Sequence, residues 1–264
     1  MSILIFIAVI VVLIVAHEFG HFIAAKMAGM RVDEFGLGYP PRALVIGKIG
    51  ETEYTLNWLP FGGFVKIYGE DASLDKLGMP NSFSSKTRLA QALVLVAGVA
   101  MNLILAWIIF SGLLMTPHWV GNDVMTNGLP LVPALVKGAQ VTVNATTAIA
   151  TGLGHFFYGI FTFSADLSQV AGPVGIAQIV GDASLQGWSS LLSLTAIISI
   201  NLALINLIPV PALDGGRLLF VIIESIIRRS IKPTIARAIN GIGFAFLILL
   251  MLVVTAHDIF RIVG

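Results

Sequence analysis

Apolar and polar positions fall in long blocks along this chain, and the blocks define its elements. A helix needs about 20 apolar residues to cross a bilayer. Four stretches come close to that length: Ile3 to Ala28, Leu89 to Met115, Leu191 to Ile208 and Ile239 to Thr255. A fifth, Val143 to Phe163, reads VNATTAIATGLGHFFYGIFTF. Its polar and glycine positions predict an interfacial helix that lies along the membrane surface and does not cross. The run Leu218 to Ile227, bounded by Gly215-Gly216 and Arg228-Arg229, is too short to span. Residues 35–70 have another texture, FGLGYPPRALVIGKIGETEYTLNWLPFGGFVKIYGE, with short Val, Ile, Tyr, Phe and Trp runs punctuated by Gly and Pro. That pattern predicts a small β-sheet or hairpins. Residues 71–88 read as a polar linker. The expectation is an all-α polytopic membrane protein with four transmembrane helices and a small membrane-associated β-region, organised as one membrane-embedded domain over residues 1–264.

Composition turns that expectation into a firm class. Of 264 residues, 57% are hydrophobic and 11% charged, against about 25% charged in soluble domains. The mean hydropathy is +0.94. Residues 1–16 could pass for a signal peptide, but the first basic residue is Lys26, so the basic leading region of such a peptide is missing. A retained first membrane helix is expected. Basic residues cluster in two blocks, Arg31, Arg42, Lys48, Lys66, Lys76, Lys86 and Arg88, then Arg217, Arg228, Arg229, Lys232 and Arg237. Residues 116–190 hold only Lys137. The excess of Lys and Arg on cytoplasmic segments then puts both blocks inside and the N-terminus outside. There is no cysteine, so any metal must sit on His, Asp, Glu or Asn, a donor set that suits zinc. Gly241 and Gly243 read as helix-packing positions rather than a nucleotide loop, and no nucleic-acid partner is expected.

One short stretch breaks the apolar first helix: VAHEFGH, residues 15–21. Ionisable groups inside a membrane segment are costly and mark function by default. On a helix, residues four apart share a face, so His17 and His21 can aim imidazole nitrogens at one ion. Glu18 flanks that face, placed to hold a water and take its proton. This is the logic of the HExxH metalloprotease motif. Catalytic zinc generally takes three protein ligands and keeps one position open. NLIPVPALDGGRL, residues 206–218, offers Asp214 as a third, after two prolines that interrupt helical bonding and before two glycines that let the backbone turn. The competing reading of Asp214 is a solvated cap at an ordinary helix end. If Val143 to Phe163 does not cross, Asp214 emerges on the same side as His17 and His21.

HEFGH in the first helix and NLIPVPALDGG far downstream resemble the site-2 protease family of intramembrane zinc metalloproteases, and more narrowly its bacterial regulators of sigma-E-type stress signalling. The likeness extends to the β-region after the first helix, to AGPVGIAQIVGDAS at 171–184 and to NGIGFAFLILLMLVVTAHDIFRIVG at the C-terminal end. It implies zinc held by His17, His21 and Asp214, with Glu18 as general base. It also implies substrate contacts from Asn206 and Asn102, whose competing roles are caps and helix contacts. Relatives of this kind commonly insert PDZ domains between the second and third core helices. Residues 116–142 are too short for one. A substrate segment unwound for cleavage could be received by strand addition, and Phe61 to Tyr68 is the expected edge. Gly62 and Gly63 would allow close approach there, with Phe64, Val65 and Lys66 along the edge. The implied activity is regulated hydrolysis of single-span membrane proteins, such as anti-sigma factors or signal peptides, in the bacterial inner membrane, with the active site towards the cytoplasm. The readings set against it are a membrane metal transporter and an inactive substrate-binding relative.

Overall fold

The protein is described by a computed structural model that covers residues 2–70, 79–120, 124–162, 164, 172–229 and 231–263. Its elements in chain order are α1 (Ser2–Met27), β1 (Val32–Ile49), β2 (Thr52–Ile67), α2 (Arg88–Met115), β3 (His118–Val120), β4 (Val124–Thr126), α3 (Leu131–Phe161), α4 (Pro173–Gln186), α5 (Trp188–Leu207), α6 (Asp214–Ile227) and α7 (Pro233–Val263). Among the described residues, four helical stretches are long and apolar enough to cross a membrane: Ile3–Met27, Arg88–Met115, Trp188–Leu207 and Thr234–Phe260. They match the four expected spans and make this a multi-pass membrane protein. The last one is longer than the expected Ile239 to Thr255, because Arg237 and Asp258 interrupt the apolar run without ending the helix.

The chain divides into two units. One comprises Ile7–Met101 and Ile205–Leu249. Here Ala25, Met30, Val32, Ile67 and Val94 form a buried cluster where α1, the β-hairpin and α2 meet. Small residues bring α1 and α2 together: a Cβ on Gly20 would land on the Ala97 carbonyl, so glycine there sets how close the helices lie. β1 and β2 pair antiparallel, joined at Gly50 with φ +61°. Both strands bend midway. As a result Val32 to Leu37 lies between two segments of β2, Gly63 to Ile67 on one side and Glu53 to Leu56 on the other. Among the described residues no third strand pairs with this hairpin, so Gly63 to Ile67 keeps one open edge. The β-region starts three residues before the expected boundary and stops at Ile67. Tyr68 and Gly69 turn the chain, with Gly69 at φ +74° and the Tyr68 N–H donating to the Arg31 carbonyl at 2.9 Å. Residues 71–78 of the expected linker, Lys76 included, lie outside the described residues. The rest is ordered by a short 3-10 turn at Phe83–Ser85 capped by Ser82.

Between α5 and α6 the chain folds tightly. Ala212 takes φ +77° and its N–H is accepted by Asn240 Oδ1 at 3.3 Å. Gly215 and Gly216 were expected to let the backbone turn. They do something else: both are helical, in the first turn of α6. A Cβ on Gly215 would lie on the Leu207 and Ile208 carbonyls, and one on Gly216 on the Val210 carbonyl. The turn itself falls at Ala212, and the glycines let α6 start flush against it. Gly243 of α7 presses on Pro211 in the same way, whereas Gly241 faces open space.

The second unit comprises Met1–Phe6, Asn102–Leu204 and Leu250–Gly264. Ala106 and Phe110 of α2 pack with Ala196 and Ile200 of α5, and Val141, Ala145 and Ile149 of α3 pack on them. α3 begins at Leu131, twelve residues before the expected interfacial segment, because Ala134, Gly138, Val141, Ala145 and Ile149 carry the helical spacing through positions whose polar neighbours hid it. Gly138 sits directly on Ser111. The hydroxyls of Thr142, Thr146 and Thr151 each bond the carbonyl four residues back, at 2.7–2.8 Å, which satisfies them without water. α4 has no side-chain cap of its own, and the buried Asp258 of α7 accepts the Gly175 N–H at 2.8 Å instead.

A test of the α5–α6 packing follows. Gly215→Ala puts a methyl against two backbone carbonyls that cannot swing away. The expected cost is on the order of 1–3 kcal/mol, the usual range for overpacking, seen as a lower melting temperature in detergent. Gly241→Ala, a change into open space within α7, should not lower melting and should raise it slightly, since alanine is the better helix former.

Candidate metal centre

α1 supplies two imidazoles and the start of α6 supplies a carboxylate. His17 and His21 lie one turn apart and are both buried, 6% and 7% exposed. Their rings meet edge to face with centroids 4.8 Å apart. His17 Nε2 is 2.9 Å from Asp214 Oδ2, His21 Nε2 is 3.1 Å from the same oxygen, and the two Nε2 atoms are 3.2 Å apart. Three donor atoms thus form a nearly equilateral triangle. Among the described residues this is the one group of His, Asp or Glu with metal-site spacing.

His21 Nδ1 lies 2.8 Å from the Val94 carbonyl. A carbonyl only accepts, so Nδ1 carries the hydrogen and, in the neutral ring, Nε2 presents a lone pair. That lone pair faces the Asp214 oxygen, also a lone-pair bearer. Two such atoms in buried contact repel unless a proton or cation sits between them. Zinc–ligand bonds of about 2.0–2.1 Å at tetrahedral angles place donors roughly 3.4 Å apart, so the triangle is a few tenths of an ångström tighter than a loaded site. The donor chemistry and spacing fit zinc. The Val94 carbonyl fixes the tautomer that ligation needs, a role a neighbour of a ligating histidine commonly fills.

The carboxylate is ionised by its surroundings. Burial opposes the charge on Asp214, and with the imidazoles protonated the hydrogen bonds from His17 and His21 outweigh it, so its carboxyl is held well below the ordinary range. It is also the first residue of α6, where a helix N-terminus favours negative charge.

Glu18 is half-buried beside this face. A Cβ on Gly63 would lie 3.5 Å from Glu18 Cγ and 3.2 Å from Ile14 Cγ2, so the edge segment of β2 runs directly past the glutamate. Asn206 Nδ2 is 3.5 Å from His17 Nε2, the outer limit of a hydrogen bond, which makes it a neighbour of the triangle. Asn102 belongs to the other unit, where it is fully buried and its backbone carbonyl accepts the Ser199 hydroxyl at 2.8 Å. Lys66 is exposed and pairs in register with Glu34. Two contributors were not singled out from sequence. One is the Val94 carbonyl. The other is Gly98, on which a Cβ would overlap His21 Nε2 and lie 2.7 Å from His17 Cε1. The run VAGVA around it on α2 was a visible sign, since small residues on an apolar helix mark a close approach.

Two buried imidazoles and a carboxylate around one point, with a glutamate alongside, in a multi-pass helical protein, form a donor set that could hold a metal ion. The chain belongs to peptidase family M50, the site-2 protease family, whose profile matches residues 5–250. A Clostridium perfringens protein provisionally named a zinc metalloprotease is 33% identical over 94% of this chain and 95% of its own. The zinc metalloprotease RasP of Geobacillus kaustophilus is 26% identical over 98% of this chain and 97% of its own. That alignment spans 415 positions against 264 residues here, so this RasP carries substantial chain with no counterpart.

The glycine gives a direct test of the centre. Gly98→Ala should push the imidazoles apart and weaken zinc binding about 10-fold or more, the scale seen when support around a ligating histidine is lost. Competition with a chromogenic chelator measures it. Gly112→Ala, on the same helix but facing open space, should bind zinc as the parent does.

Proposed function

We propose that this protein is an intramembrane zinc endopeptidase that cuts single-span membrane proteins within or near their transmembrane segments. The observation that carries the reading is the His17–His21–Asp214 triangle, two of its members on a helix apolar enough to span and the third at the start of α6, with Glu18 at its side and the β2 segment at Gly63 running past Glu18. His17, His21 and Asp214 would hold the zinc. When bound, zinc supplies a Lewis acid that polarises the scissile carbonyl and lowers the pKa of water. Glu18 takes a proton from the attacking water as its oxygen adds to the carbonyl carbon. It then gives that proton to the leaving amine as the C–N bond breaks, so the glutamate is regenerated and no covalent enzyme intermediate forms.

A transmembrane substrate hides its peptide bonds in helical hydrogen bonds and must unwind first. The free edge at Gly63 to Ile67 can replace those bonds by strand addition. Gly63, without a side chain, keeps the incoming backbone close to Glu18. Asn206, a neighbour of the triangle, would hold the extended substrate beside the ligands. The basic blocks at 31–88 and 217–237 favour a site towards the cytoplasmic side and an N-terminus outside. The relatives' zinc metalloprotease names and the four apolar helices support both the chemistry and the bilayer setting.

Two measurements test this. Glu18→Gln should keep zinc at the parent level and lower cleavage of a tagged single-span reporter by at least about 10²-fold, the lower range for losing a general base. Equal cleavage by both proteins would remove Glu18 from the mechanism. Lys66→Pro, which disrupts the edge strand, should abolish cleavage while zinc affinity holds. Unchanged cleavage would show that the hairpin does not receive substrate.

A further inference from the structure

Helix α6 carries only one of the three candidate ligands, yet among the described residues it makes two ion pairs to other elements. Glu224 Oε2 pairs with Arg88 Nη1 at the start of α2. Arg217 Nη1 lies 2.7 Å from Glu70 Oε1, just past β2, with side-chain exposures of 37% and 12%. The second pair is the one near the metal centre: Arg217 follows Asp214 by three residues, so the two lie on neighbouring positions of one helix face.

Three features separate this pair from an ordinary surface bridge. Glu70 is anchored, since Gly69 closes the turn at φ +74° and the Glu70 N–H donates to the Ile67 carbonyl at 3.2 Å. Arg217 stands against the local field, because a cation near a helix N-terminus is disfavoured by the helix dipole, so its place on α6 answers to a partner outside the helix. And the strand that delivers Glu70 is the one whose Gly63 backs Glu18. One contact therefore links the segment carrying the carboxylate ligand to the segment lying against the glutamate.

We infer that Arg217 and Glu70 are positioning residues of the metal centre: their ion pair sets the rotation of α6 and so holds Asp214 Oδ2 at the imidazoles. The inference rests on the zinc protease reading above. A bridge serving only stability would change melting and leave the zinc affinity of folded protein alone. A positioning pair changes zinc affinity, and its effect depends on both partners.

The test is zinc affinity of the full chain in detergent, by chelator competition, with thermal melting of each variant alongside. Arg217→Gln and Glu70→Gln should each weaken zinc about 10-fold, within the range for residues that orient ligands. The double variant should be no worse than either single, because both remove one shared contact. The exchanged pair, Arg217→Glu with Glu70→Arg, should recover most of the affinity. Glu224→Gln, farther along α6, should bind zinc as the parent does. Parent-like affinity in both single variants, additive losses, or no recovery on exchange would each overturn the inference. Should one single variant fail to fold, the other reports the same contact from its opposite end. His21→Ala guards the underlying reading: if it binds zinc as tightly as the parent, the metal-centre assignment fails, whatever Arg217 does.

Discussion

Crowding three electron-rich atoms together in an apolar protein is the constraint on which the site depends. Imidazole and carboxylate lone pairs about 3 Å apart repel, and burial removes the water that would screen them. Such a cluster persists only when a cation or proton satisfies it and the surrounding backbone holds it in place. Here that hold is local and specific. The Val94 carbonyl fixes the His21 tautomer, and Gly98 makes room for both rings.

The carboxylate faces a harder problem, since it comes from a segment almost 200 residues away and must arrive with the correct rotation. Gly215 and Gly216 let α6 begin against the carbonyls of 207, 208 and 210, and Ala212 makes the turn in a left-handed conformation. Arg217 in the first turns of α6 is ion-paired with Glu70, and Glu224 farther along the helix with Arg88. Close backbone packing supplies most of this precision. The glycines matter for what they lack, a Cβ, rather than for unusual dihedral angles.

Elsewhere the protein handles polar groups in apolar surroundings by satisfying them internally. Threonine hydroxyls of α3 bond back to carbonyls within the same helix. Asp258 serves the bare N-terminus of α4. In the β-hairpin Thr52 Oγ1 donates to the Val32 carbonyl at 2.8 Å, and Asn57 Nδ2 to the Gly38 carbonyl at 3.0 Å. Against that background the candidate metal centre is a place where two imidazoles and a carboxylate bring their polar atoms together in one buried cluster, and among the described residues the strand edge near it pairs with no third strand.

The apolar blocks by themselves determined four long helices, because crossing a bilayer demands a length and hydropathy that composition alone displays. HEFGH determined that two imidazoles and a glutamate share one helical turn, because helix geometry leaves them nowhere else to go. Asp214 was legible as a candidate, but local sequence could not say whether it meets the histidines: that is a distance across 197 residues of chain. The surroundings of Gly98, Val94, Glu70 and Arg217 were decided only by tertiary structure, since a missing Cβ, a carbonyl's direction and an ion pair acquire meaning from what packs against them. The start of α3 escaped for a related reason. Its helical stripe of Ala, Gly and Val is weakly hydrophobic alone, and it became a buried face when α2 and α5 supplied the other side.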